Sequence, residues 1–199
     1  MIAEKRKKYN IILDLDNTLL SAVPLEDFSW DKKTKEKALK FDIHNMEHYY
    51  IIFERPYLQG FLDFLFQNFN VSVWSAASKY YVTFIVDEII KKNHPERKLD
   101  YIFFSYHCNW SKTKMKGLKK LDMIWDIFKI KGFNKDNTFI IDDLPEVNKI
   151  QPCNCIAIKE FEFDIENSEK DTELINIKER LQKLLKLDLK KGLCLTKAF

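Results

Sequence analysis

Short apolar runs, rich in β-branched residues and bounded by polar ones, recur along this chain. Residues 10–13 read N-I-I-L, 71–74 V-S-V-W, 101–104 Y-I-F-F, 138–141 T-F-I-I and 155–158 C-I-A-I. Runs this short, with apolar side chains on both faces, predict buried strands of a parallel sheet. Stripes at helical spacing lie between them. Leu58, Phe61, Leu62, Leu65, Phe66 and Phe69 follow Arg55-Pro56, where proline suits the first turn of a helix. Val82, Ile85, Val86, Ile89 and Ile90 form a second stripe that stops before His94-Pro95, and Leu174, Ile177, Leu181, Leu184 and Leu185 form a third. Strands alternating with such helices predict an α/β fold, a doubly wound, Rossmann-like parallel sheet with helices on both faces. One region breaks the alternation. Residues 25–40 are charged and tolerant of helix, and 41–53 read F-D-I-H-N-M-E-H-Y-Y-I-I-F. Aromatic and β-branched residues on either side of a polar centre predict a small β-hairpin with its turn near Asn45. The insert spans about 21–54 and follows the first strand.

Composition narrows the class. A chain of 199 residues with 46% apolar side chains can bury one good core, so a single domain over 1–199 is the simplest reading. A net charge of +3 is too small for a dedicated nucleic-acid binder. No apolar run reaches membrane-spanning length, and the opening M-I-A-E-K-R-K-K lacks a signal peptide's apolar segment. An intracellular location, cytoplasmic or nuclear, is therefore expected, with no membrane partner. The cysteines are Cys108, Cys153, Cys155 and Cys194. C-N-C is too tight for a zinc knuckle, so all four are expected to be reduced thiols.

The chemistry gathers at the strand ends. The first strand stops at Asp14, Asp16 and Thr18, three polar residues at alternate positions. At the carboxyl end of a buried strand such groups open into the crevice where α/β sheets bind ligands. Two carboxylates so close cannot both stay ionised and dry without a cation, which implies a hard divalent metal. Thr18 adds a hydroxyl able to orient a carboxylate. Ser75 ends the second strand, where it can donate to a phosphate oxygen, and Asp142-Asp143 end the fourth. Between them runs K-T-K-M-K-G-L-K-K-L, with several competing lysines. Two apolar strands that each end in paired acids, with a serine and a lysine between them, form a coincidence that single motifs do not. His44, Glu47 and His48 also spell an inverted zinc-protease pattern, but their strand-like flanks put them around a turn rather than on one helix face. His107 reads as structural.

D-L-D-N-T at 14–18 resembles the D-x-D-x-T/V motif of the haloacid dehalogenase superfamily of phosphotransferases. Ser75, the lysine run and Asp142-Asp143 resemble that superfamily's second, third and fourth motifs, in order. Within it, Arg55-Pro56, Ser75-Ala76-Ala77, Lys79-Tyr80, K-G-L-K-K-L, Asp142-Asp143-Leu144-Pro145 and Asp171-Thr172-Glu173-Leu174 are similar to motifs of the RNA polymerase II C-terminal-domain phosphatases. The small, NLI-interacting-factor-like branch is the nearest in pattern. The resemblance implies a Mg²⁺-dependent phosphomonoesterase with an aspartyl-phosphate intermediate, acting on phosphoserine or phosphothreonine of a protein or peptide. Asp14 would be the nucleophile and Asp16 the general acid/base, oriented by Thr18. Ser75 and Lys116 would hold the phosphoryl oxygens, with Lys112 and Lys114 as alternatives to Lys116. The metal would lie on Asp14, the backbone carbonyl of Asp16, and Asp142 or Asp143, with Asp143 the direct ligand by the resemblance. The insert would overhang the site and help choose substrates. Two departures stand out: Ser105 occupies a position where the branch has arginine, and Asp143 replaces an asparagine. They leave room for a small-molecule or nucleic-acid-end phosphate as substrate, and for an inert binding module of the same fold.

Overall fold

The computed structural model describes residues 7–108, 118–186 and Cys194. The strands β1 (Asn10–Leu13), β5 (Asn70–Trp74), β6 (Leu99–Phe103), β7 (Thr138–Asp142) and β8 (Cys155–Ala157) form a parallel sheet in the order β6-β5-β1-β7-β8. The chain leaves β1 to build β5 and β6 on one side, then crosses back to build β7 and β8 on the other. Neighbouring strands β1 and β7 therefore flank the switch in winding direction, where open α/β sheets form their ligand crevice. The predicted doubly wound sheet is the one observed.

Each face of the sheet has its own apolar layer. Ile11 and Leu13 of β1 point into a layer closed by α2 (Leu58–Asn68), α3 (Lys79–Ile85) and the C-terminal helix α5 (Glu173–Lys186). Ile12 points the other way, to Trp74, Leu121, Met123, Ile124 and Ile140. The 2-residue alternation of β1 thus feeds both layers, as a buried parallel strand requires. Helix α3 continues as a π-helical turn, Val86–Ile90, which keeps Val86, Ile89 and Ile90 buried. Among the described residues no helix is long and apolar enough to cross a membrane.

The insert is larger than the expected hairpin. It is a three-stranded antiparallel sheet in the order β2-β4-β3, made of β2 (Leu20–Pro24), β3 (Ile43–Met46) and β4 (Tyr50–Glu54). Helix α1 (Lys32–Ala38), capped by Asp31 accepting from the Thr34 N–H at 2.9 Å, joins β2 to β3. The hairpin turn lies at 47–49, not near Asn45, which sits in β3 opposite Ile51. Met46 is buried and extends the strand, and His48 takes the left-handed conformation at φ 61° that closes the turn. His44 Nε2 lies 2.8 Å from Glu54 Oε1 of the adjacent strand, so the zinc-like pattern is split between a strand and a turn. Beneath the insert, Phe53 and Phe163 stack at 3.8 Å in an aromatic cluster with Phe28 and Phe161, which fastens the insert to the segment after β8.

Two cysteines depart from expectation. Cys153 and Cys194 form a disulfide with their Cα atoms 4.4 Å apart. The C-N-C spacing put Cys153 in view but not its partner, which lies 41 residues further on and reaches it only through the tertiary fold. Cys108 and Cys155 are buried and stand outside that disulfide, and burial pushes the Cys155 thiol up to about 12, where it is unreactive at neutral pH.

Candidate active site

The carboxyl ends of β1, β5 and β7 converge on one group of side chains. Asp14 directly follows β1, and its N–H donates to the Ile141 carbonyl at 3.0 Å, so sheet pairing fixes its backbone. Asp142 is the last residue of β7. Lys119 Nζ lies between them, 2.5 Å from Asp14 Oδ1 and 2.9 Å from Asp142 Oδ2. All three side chains are buried. The other oxygen of Asp142 accepts from the Leu144 N–H at 2.9 Å. Asp143 is half-buried and accepts from the Thr18 hydroxyl at 2.9 Å. Oxygens of Asp14, Asp142 and Asp143 all lie within 4.8 Å of one another.

The electrostatics follow from burial and charge count. Burial raises the Asp14 carboxyl to about 8, with Lys119 opposing the rise and Asp142 adding to it. Asp142 is raised for the same reason, again with Lys119 opposing. Burial alone would lower Lys119, but the two carboxylates outweigh it and hold the ammonium above its ordinary range. Among the described residues one ammonium, in contact with Asp14 and Asp142, faces three neighbouring carboxylates, which leaves an excess of negative charge in a largely buried site. A hard divalent cation would neutralise that excess, and the all-oxygen donor set suits one.

Asp16 stands slightly apart, on the loop 15–19 that turns from β1 into β2. Asn17, at φ 57°, supplies the left-handed residue of that turn, a conformation asparagine tolerates. The Tyr81 hydroxyl donates to Asp16 Oδ1, and Ser75 Oγ lies 3.4 Å from Oδ2. Ser75 Oγ also accepts from the Ala77 N–H at 3.0 Å. Burial raises the Asp16 carboxyl, and the two hydroxyls work against the rise. A cavity of about 450 Å³ opens beside Asp16, lined on the insert side by Met46, Tyr49 and Tyr50 and on the α3 side by Ser78, Tyr80 and Tyr81.

The fold therefore brings Asp14, Asp16, Thr18, Ser75, Asp142 and Asp143 to one edge. Thr18 differs from expectation in its partner: it holds Asp143, not Asp16, because the tight turn at Leu15–Leu19 swings its hydroxyl toward β7. Lys116, Lys112 and Lys114 lie outside the described residues, and the cation beside Asp14 is Lys119. The signal for it was present: K-x-L-x-x-apolar starts at Lys119 (K-K-L-D-M-I) as well as at Lys116, and Leu121 and Ile124 are both buried. Tyr81 was missed because a tyrosine beside an apolar stripe reads as core.

Residues further out brace the site. Arg55, of the Arg-Pro pair before α2, is 1% exposed and grips Asp171 through two N–H···O bonds of 2.9 Å. A third bond reaches the Thr18 carbonyl at 2.9 Å, and the guanidinium lies over the Phe161 ring. A bidentate pair of this kind is geometrically strict, and it ties the Asp14–Thr18 loop to the start of α5. Gln151 donates to the Lys119 carbonyl at 2.8 Å and accepts from the Leu121 N–H at 2.9 Å, which fixes the backbone that carries the lysine.

Known proteins resemble this chain in sequence and in fold. Residues 9–190 match the model of the NLI interacting factor-like phosphatase family. A CTD phosphatase-like protein of Invertebrate iridescent virus 6 is 51% identical over 88% of this chain and 98% of its own length. The ubiquitin-like domain-containing CTD phosphatase 1 of Danio rerio is 29% identical over 70% of this chain, which spans 44% of that protein. Among solved structures, fission yeast RNA polymerase II CTD phosphatase Fcp1 bound to beryllium fluoride superposes with a TM-score of 0.57 at 17% identity, over 96% of this chain and 54% of that one.

Proposed function

The chain belongs to the NLI interacting factor-like phosphatase family, and on that premise we propose that it is a Mg²⁺-dependent phosphatase of phosphoserine or phosphothreonine in proteins, working through an aspartyl phosphate. The observation that carries this reading is Lys119 bridging Asp14 and Asp142 at the switch point of the sheet. A buried carboxylate is a poor nucleophile if it is protonated; the fixed ammonium at one of its oxygens opposes that protonation and aims the group, and a bound divalent cation would complete its ionisation. Lys119 takes the role expected of Lys116. Protein substrates are the reading favoured by the CTD phosphatases among the relatives, and the open cavity beside Asp16 has room for a peptide's flanking side chains.

In this mechanism Asp14 attacks phosphorus, an Asp14 oxygen–phosphorus bond forms, and the bond to the seryl or threonyl oxygen breaks. The Asp16 carboxyl gives its proton to that leaving oxygen. Water then attacks the phosphorus, Asp16 takes up the water's proton, and inorganic phosphate leaves with Asp14 restored. Ser75 and Lys119 donate to the phosphoryl oxygens, where charge builds in the transition state. Asp14, the Asp16 carbonyl and Asp143 would hold the metal. Asp142, whose two oxygens already accept from Lys119 and the Leu144 N–H, supports it from behind. Mg²⁺ so held supplies positive charge against the repulsion between the carboxylate and the phosphate.

The test is hydrolysis of 4-nitrophenyl phosphate and of a phosphoserine peptide, with and without Mg²⁺, by wild type and Asp14→Asn. The expected result is Mg²⁺-dependent release on both substrates, lost to background in the variant, with ³²P trapped on wild type alone after an acid quench. Folded wild type inert with every divalent metal would overturn the enzyme reading. A tenfold preference for a 3′-phosphorylated oligonucleotide would overturn the protein substrate, since it corresponds to about 1.4 kcal/mol of transition-state binding.

A further inference from the structure

Asp16 lies on the turn after β1, beyond the parallel pairing that fixes Asp14 and Asp142. Asp14 and Asp142 are held by β1 and β7 and by Lys119, whereas Asp16 projects from a turn. A proton donor must keep one carboxyl oxygen directed at the leaving atom, so a group on a turn needs external support.

Tyr81 provides it. Its hydroxyl donates to Asp16 Oδ1, on the opposite side of the carboxylate from Ser75. The tyrosine is itself immobilised in two ways. Its N–H donates to Ser78, which caps α3, at 3.3 Å, and its ring meets Tyr50 of β4 edge-on at 5.3 Å between centroids. The side chain is 5% exposed, while neighbouring Tyr80 is 64% exposed. A phenylalanine would fill the same space, and a buried phenol oxygen is costly without a partner. The oxygen at this position is therefore matched to Asp16 rather than to packing.

We propose that Tyr81 is the positioning residue for the general acid: its hydroxyl sets the plane of the Asp16 carboxyl, so that one oxygen faces the leaving oxygen while the other is held. This rests on the phosphatase reading above. The Tyr81 proton is not consumed; the proton that reaches the leaving oxygen comes from Asp16. Through Tyr50, the insert supports the ring that aligns the acid.

The experiment measures kcat/KM of wild type and Tyr81→Phe on aryl phosphates of graded phenol acidity and on a phosphoserine peptide. General acid assistance matters little when the leaving oxygen is a weak base and most when it is an alkoxide. The expected loss is at least about tenfold larger on phosphoserine than on the most acidic phenol, within the hundredfold or more that a positioned acid supplies. Equal losses across the series would mean that Tyr81 serves packing or binding alone, and would overturn the inference. A second arm covers a variant that folds poorly: on phenyl phosphate, whose leaving oxygen is basic enough to need the acid, Tyr81→Phe should cost nothing further in an Asp16→Asn background, where there is no acid to align. The same loss in both backgrounds would overturn the inference. A wild type that cleaves no substrate in the series removes the phosphatase reading and this inference together, an outcome distinct from an active wild type with parallel losses.

Discussion

At the amino-terminal edge of the central strands, Asn10, Asn70 and Thr138 lie side by side in register; at the carboxyl-terminal edge, four or five residues further along, stand Asp14, Ser75 and Asp142. Both edges are polar and largely buried, and they treat polarity in opposite ways. The first is neutral and closed. The Asn10 amide donates to Asn137 Oδ1, Thr138 Oγ1 and the Gly132 carbonyl at 3.0–3.1 Å, and its oxygen accepts from Asn70 at 3.0 Å. The second is charged and open, with one ammonium among three carboxylates in the described residues and with Asp14 and Asp142 raised by burial. A satisfied network holds strands together, while an unsatisfied one is a site that still needs a cation and a substrate.

Lys119→Met tests the contrast with the largest expected effect. It should lower kcat by about a hundredfold or more, as removal of one donor from a preorganised transition-state site does; steady-state kinetics with the phosphopeptide would check this. A loss of only a few-fold would mean that the edge is charged without being tuned.

The next effect is on stability against pH in chelated, metal-free protein. The Asp14 carboxyl is raised from 3.8 to about 8 in the fold, so the folded state binds this proton more tightly than the unfolded chain. Stability from this group is then complete below about pH 4 and is lost as pH rises toward 8. Asp16 and Asp142, raised as well, act in the same sense. Lys119 stays charged across this window and does not reverse it. The melting temperature of metal-free protein should fall from pH 4 to pH 8, and Asp14→Asn or added Mg²⁺ should flatten the slope. A midpoint that climbs with pH across the window would break the contrast.

Asn10→Ala is the smallest test and addresses the other edge. Leaving its partners short of a donor should cost about 1–3 kcal/mol in denaturant unfolding, with kcat unchanged, because the closed network takes no part in the reaction. A fall in kcat larger than the fall in stability explains would mean that the two edges are coupled.

The layout of the sheet was legible because a buried parallel strand writes itself as a short apolar run, and because Asp14 and Asp142-Asp143 end two such runs. Partners chosen in three dimensions were not legible. Thr18 lies two residues from Asp16 but bonds Asp143, just past the end of β7 and 125 residues on. Lys119 competes with identical neighbours at the same local spacing, and only the burial of Leu121 and Ile124 singles it out. Arg55 and Asp171 were each visible as a motif residue, but nothing local pairs them across 116 positions. The hairpin turn was misread by two residues or more because His48 carries the positive φ that sequence assigns more readily to asparagine.

The insert leaves and rejoins the core at nearly one point. Leu20 pairs with Glu54, and the Arg55 N–H donates to the Leu19 carbonyl at 3.0 Å. The thirty-odd residues in between form a side branch whose mouth is stapled shut, so changes in its length or contents transmit no shift in register to β1 or α2. The insert is in this sense a socketed piece: its backbone meets the core at Leu20 and Glu54, and its influence on the reactive centre runs through side chains such as Tyr50.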